Sequence, residues 1–187
     1  GMVRRLGVGV RQFTSRTTGT ARDSAFPVPV LVFTAALAAG GIAGGMLADR
    51  NAGSVGSPSW PTVFAFLGLL TAASFPTLQF QYRDQVDALD LFEAVLAPAV
   101  FVLPPLQAVV VVGVAQGLSE TLQHIHPVKA CFNIAQWMSA TAAGSLVMTA
   151  LRPGDGSPPT FGLVALVAAM VTIMVLNDLA LIAVLWL

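Results

Sequence analysis

Long apolar stretches, separated by short polar or Gly/Pro-rich runs, divide this chain of 187 residues. A hydrocarbon layer about 30 Å thick is crossed by roughly 20 apolar helical residues. Residues 27–48 satisfy that requirement and end at Asp49-Arg50-Asn51, after which the Gly/Ser-rich run 51–59 reads as a loop. A second apolar segment covers 60–80, with Trp60 and Tyr82 where interfacial aromatics belong. The polar connection 81–90 follows, carrying Arg83, Asp84, Asp87 and Asp90.

As one helix, 91–119 would run about 43 Å, long for one crossing, and Pro104-Pro105 falls near its middle. A proline inside a helix removes a hydrogen bond and crowds the preceding turn. Two short helices, 91–103 and 105–121, joined by a tight turn therefore fit better than one kinked helix. Each falls short of a full span, which predicts a dipping hairpin or a locally thinned bilayer. Further helices are predicted over 128–151 and 160–187, separated by 152–159 with its three prolines. The expected fold class is all-α: a polytopic membrane bundle over 27–187, with about six transmembrane or half-spanning helices, or five if 91–119 is one kinked helix. Ahead of it, 1–26 is predicted to be a basic arm. Val3, Leu6, Val10 and Phe13 share one side of a helix and Arg4, Arg5 and Arg11 lie elsewhere around it, which suits an anionic membrane surface.

Composition sharpens this picture. The chain is 56% hydrophobic and 10% charged, against about 25% charged in a typical soluble domain, and its mean hydropathy is +0.79. Nine basic and nine acidic residues cancel, so charge points to no nucleic-acid partner. The single cysteine, Cys131, can build neither a disulfide framework nor a Cys-based metal site. Lys and Arg distribution predicts orientation: with six helices, seven basic residues fall on the side of the N-terminus and two, Arg50 and Arg152, on the other. Five helices give the same score, so the N-terminus is expected in the cytoplasm of a bacterial cell, and helix number decides the side of the C-terminus.

Ionisable and amide groups at membrane depth face a bundle interior or a cavity. Here they are Glu93, Gln107, Gln116, Glu120, Asn133, Gln136, Asn177 and Asp178. Lys129, Asn133 and Gln136 are spaced by four and three and share a helical face, which Ala140 and Gly144 continue. These groups either bond across helices and fix the packing or line a pocket for a small polar ligand. The candidates for that network or site are Glu93, Asn133, Gln136, Asn177 and Asp178, the last needing a partner or water. Glu93 and Glu120 are expected near the cytoplasmic interface. Gly40/Gly44, Gly41/Gly45 and Gly113/Gly117 are small-xxx-small pairs that allow close helix approach, within the chain first and in a homodimer second. His124 and His126 do not share a helix face and no nearby carboxylate completes a metal site, so no metal or cofactor is expected. No phosphate-binding loop, nucleophile elbow or zinc-protease helix is legible, and the chain is not expected to be an enzyme.

From residue 89 onward the order of features is specific. Leu-Phe-Glu-Ala-Val-Leu-Ala (91–97) is followed by a Pro-Pro turn and an Ala/Val/Gly-rich helix, then by Phe-Asn-Ile-Ala-Gln (132–136) and a last helix with an internal Asn177. This resembles the bacterial membrane-associated sensor (MASE-type) domains, in the class with an FN-x-A-Q helix, over about 60–187. The resemblance implies a sensory input domain upstream of a cytoplasmic GGDEF, EAL or HD-GYP module that makes or degrades cyclic di-GMP, in the same or a partner chain. It singles out Phe132, Asn133, Gln136, Asn177 and Glu93, and favours six helices with a cytoplasmic C-terminus. The chain departs from the family in its His-Ile-His-Pro-Val-Lys loop (124–129) and in ending at Leu187 before any such module. Two other functions fit the same pattern: the substrate-binding membrane subunit of a vitamin-type transporter, and a structural assembly partner.

Overall fold

The computed structural model describes residues 28–52, 58–75, 77–82, 85–151 and 160–186, with 77–82, 85–90, 160 and 161 described for their backbone alone. The expected arm over 1–26 lies outside the described residues. Among the described residues six helices form the body of the molecule: α1 (Val28–Ala52), α2 (Trp60–Ala73), α3 (Leu91–Val102), α4 (Pro105–Leu122), α5 (Pro127–Ala150) and α6 (Thr160–Leu185). Three of them, α1, α4 and α6, are long and apolar enough to cross a membrane.

The Pro-Pro pair separates α3 from α4. Pro104 is extended (φ −54°, ψ 145°) and caps α4, whose first residue is Pro105. A proline fits that first position because its missing N–H would be unpaired there in any case. At 12 and 18 residues, α3 and α4 are about 18 and 27 Å long.

The second helix is shorter than its apolar length predicts. It stops at Ala73, and Thr77–Tyr82 (β1) pairs antiparallel with Gln85–Asp90 (β2), from Thr77 opposite Asp90 to Tyr82 opposite Gln85. Two local signals account for this. Pro76 cannot donate to a continuing helix, and Thr-Leu-Gln-Phe-Gln-Tyr alternates polar and apolar residues with the period of a strand.

Consecutive helices alternate in direction. One end of the bundle gathers the start of α1, the end of α2 and the α4–α5 turn, as Phe33 stacks on Phe132 and Gln123 reaches Ser74 O; the other gathers the end of α1, the α3–α4 turn and the start of α6 around Ala52, Pro104 and Gly162. α5 is central, packed most extensively on α1 and then on α4 and α6. The apolar core lies beside it, built on Leu70, Phe92, Leu96, Val112, Ala140 and Ile173. Phe92 of α3 meets Trp137 of α5 edge-on at 4.7 Å, a favoured aromatic geometry.

The α4–α5 turn closes in a Schellman arrangement. Ile125 N–H donates to Glu120 O and His124 N–H to Thr121 O, and His124 occupies the left-handed region at φ 55°. Glycine normally holds that position.

Candidate functional site: the polar clasps of α5

α5 carries its polar residues toward its neighbours. Asn133, Gln136 and Ser139 follow one another at three-residue steps. At about 100° per residue each step falls about 60° short of a full turn, so the three side chains fan over about 120°. Each reaches a different helix. Asn133 Nδ2 donates to Glu120 Oε1 of α4 at 2.7 Å. Gln136 Nε2 donates to both the main-chain O and the Oδ1 of Asn177 on α6, each at 2.7 Å. Ser139 Oγ donates to Leu37 O of α1.

The last contact depends on Gly41. A Cβ there would lie 3.0 Å from the Met138 carbonyl carbon and from Ser139 N, so only glycine lets the α1 and α5 backbones come this close. One turn earlier, Leu37 O is then within reach of the serine hydroxyl. Phe33 and Phe132 stack at 6.3 Å across the same seam.

Of the residues picked out from sequence, Gln136 and Asn177 are bonded to each other. Asn133 joins a different partner, Glu120, which is buried at 9% exposure in the last turn of α4. Glu93 stands half-buried in the first turn of α3, where a carboxylate complements the helix N-terminus. Asp178 corrects the expectation that it turns inward: it is exposed, because the packed stripe of α6 runs through Ala165, Ala169, Ile173 and Ala180 and leaves residue 178 on the far side. Ser139 was missed, since a serine in an apolar helix ordinarily bonds its own backbone, as Thr34, Thr71, Ser74 and Thr172 do here.

The glycines divide in the same way. Gly44 meets Ala142, Gly45 meets Val109, and Gly113 sits under Met138, so these serve packing within the chain. Gly117 makes ordinary contact with Ile134, and Gly40, expected as a packing position, is open: nothing lies within 4 Å of its missing Cβ. Gly144 is the tightest site, with Ile173 side-chain atoms at 2.6 and 2.7 Å from a built Cβ.

Polar capacity remains in the interior. Glu120 Oε2 and Gln107 Oε1 on α4, and the hydroxyls of Thr141 and Ser145 on α5, are buried without a partner among the described residues. Two hollows of about 280 Å³ flank α5. One, toward the α4–α5 turn end, is lined by Phe33, Leu37, Gln136, Ser139, Leu176 and Ala180. The other, at the opposite end, is bordered by Ala52, Leu103, Pro104, Ser145, Thr149 and Gly162. No group of three or more His, Cys, Asp or Glu able to hold a metal occurs among the described residues.

These features define the class of the molecule: a polytopic helical bundle of membrane type, tied internally through one polar helix. Comparison with protein-family models, with curated proteins and with solved structures returns no match.

Proposed function

We propose that this chain is a membrane-embedded sensory input domain of a bacterial signalling protein. In this reading a small polar ligand acts on α5, and the change leaves through α6 to a cyclic di-GMP module in the same or a partner chain. The observation that carries it is the double hydrogen bond from Gln136 to Asn177, which ties the central helix to the last one beside a hollow. A ligand shifts a conformational equilibrium only by its difference in affinity for the two states. A molecule that takes the Gln136 amide away from Asn177 supplies such a difference, and the unpartnered polar atoms on α4 and α5 offer these side chains other bonds in a second packing. The excess of Lys and Arg on one side sets both termini of the six-helix chain in the cytoplasm, where the output module works.

The test uses the full-length gene product. Gln136→Leu is expected to shift cyclic di-GMP turnover severalfold, with the protein still inserted. A coding sequence that stops directly after Leu187, with no such enzyme encoded beside it, counts against the proposal.

The second reading, a substrate-binding subunit of a vitamin-type transporter, is favoured by the hollow that Ser145 and Thr149 border. It predicts that a molecule of vitamin size and an energising membrane subunit co-purify with the chain. Native mass spectrometry from the source membrane distinguishes the two.

A further inference from the structure

The hydrogen-bond ladder of α3 is cut at its C-terminal end. Leu103 N–H donates to Ala99 O, and the next two residues are Pro104 and Pro105, which have no N–H to give. The carbonyls of Val100 and Phe101, four residues before them, therefore lack a helical donor. Carbonyls at a helix end point along the axis and carry the negative end of its dipole. Lipid offers such groups no donor.

The same residues border a hollow of about 280 Å³ beside the Pro-Pro turn. That is close to the lower limit of small-molecule sites and roughly the room of nine waters. Across it stand Ser145, Met148 and Thr149 of α5. Ser145 is 2% exposed, and its hydroxyl oxygen has no partner among the described residues. The Thr149 hydroxyl donates to Leu146 O, which leaves its oxygen able to accept. Among the described residues no charged side chain borders the hollow, while Val100, Leu103 and Met148 give it an apolar side. Gly162 of α6 leaves one wall unfilled: a Cβ there meets only Phe101 Cε2, at 3.8 Å.

These groups select a ligand. Val100 O, Phe101 O and Thr149 Oγ1 are acceptors, and Ser145 Oγ both donates and accepts. An anion, the phosphate of a lipid headgroup included, meets no cation here, and a charge of either sign lacks a counter-ion. A wholly apolar molecule leaves every acceptor unmet. We propose that this hollow binds a small neutral molecule that carries a hydroxyl or N–H donor on an apolar body. The donor end reaches the carbonyls of α3 or the Ser145 hydroxyl, and the apolar body rests on Val100, Leu103 and Met148. The site lies about 14 Å along α5 from Gln136, so it is separate from the clasp of the sensory reading. It gives the transporter reading a substrate class and rests on that reading for transport alone. A missing energising subunit defeats transport without touching binding.

The test uses the full chain in lipid nanodiscs and two fluorinated probes of one shape, para-fluorobenzyl alcohol and para-fluoroethylbenzene, followed by fluorine NMR against empty nanodiscs. Saturable binding of the alcohol is expected in the millimolar range or tighter, with the hydrocarbon about tenfold weaker. Ser145→Ala weakens the alcohol about fivefold and leaves the hydrocarbon unchanged, a split that a general disturbance of the fold does not produce. Gly162→Leu fills the hollow from α6 and abolishes saturable binding of both probes, whereas Val175→Ala on the outer face of α6 changes neither. Ser145→Ala, which removes an orphaned hydroxyl, carries the test should Gly162→Leu fail to fold. Equal affinity for the two probes, no saturable binding above empty nanodiscs, or an alcohol affinity untouched by Ser145→Ala overturns the proposal.

Discussion

α5 and α6 lie side by side and solve opposite problems. α5 holds Asn133, Gln136, Ser139, Thr141 and Ser145 and is surrounded by other helices; α6 is nearly all apolar, with Val164 and Val167 more than 60% exposed. In water the arrangement would be reversed. In lipid the apolar helix needs no cover, whereas each amide or hydroxyl needs a partner that acyl chains do not offer. The most polar helix therefore sits at the centre, and polar contacts together with close backbone packing, rather than apolar burial alone, hold the bundle together.

The sharpest way to break this contrast is to orphan a buried carboxyl group. Glu120 Oε1 has Asn133 as its donor and Oε2 has none, so Asn133→Ala leaves a buried carboxyl unsupported. A loss of about 2–3 kcal/mol is expected, read from helicity during denaturation in mixed micelles. Adding Glu120→Leu, which removes the orphaned group, should recover most of it; if the double variant is no better than the single one, satisfying the Glu120 carboxyl is not what the contact serves.

Steric intrusion comes next. Gly41→Val drives a side chain into the α5 backbone, which cannot yield as a flexible side chain would. Over-packing of this kind costs about 1–3 kcal/mol, and a stability equal to wild type would mean that α1 and α5 are not in close contact. Gln136→Ala removes the neutral clasp to Asn177 and is expected to lose about 1–2 kcal/mol. Amide exchange should rise selectively in the second half of α6; a rise spread evenly over all helices would argue against a specific tie.

At the turn entering α5, His124→Gly relieves a left-handed residue and should stabilise by about 0.5–1 kcal/mol, visible in the same denaturation curves. On the outer face of α6, Val175→Ala exchanges one lipid-facing side chain for another and should stay within about 0.5 kcal/mol. If it matches Asn133→Ala in magnitude, the division between a polar interior helix and an indifferent outer one fails.

Much of the fold was legible because lipid imposes strict local rules. Apolar length located the helices, and the chemistry of Pro104-Pro105 divided α3 from α4. The error over α2 arose from weighing apolar length above the two-residue period of Thr77–Tyr82 and above the break at Pro76. The polar stripe of α5 was legible as a stripe, and so were Asn133 and Gln136 within it. Their partners were not, since a three-residue step turns each side chain toward a different neighbour, and the identity of that neighbour belongs to packing.

The amino-acid sequence by itself determined that the chain seeks a bilayer, where its helices break and which groups are too polar for lipid, because these follow from transfer free energies and backbone chemistry residue by residue. Tertiary structure alone decided that Asn133 bonds to Glu120, that Ser139 reaches α1 beside Gly41, and that Asp178 faces outward while its neighbour Asn177 faces in. Adjacent residues on a helix differ by about 100° in direction. Which of them is enclosed depends on where the other five helices lie, a property of no single segment.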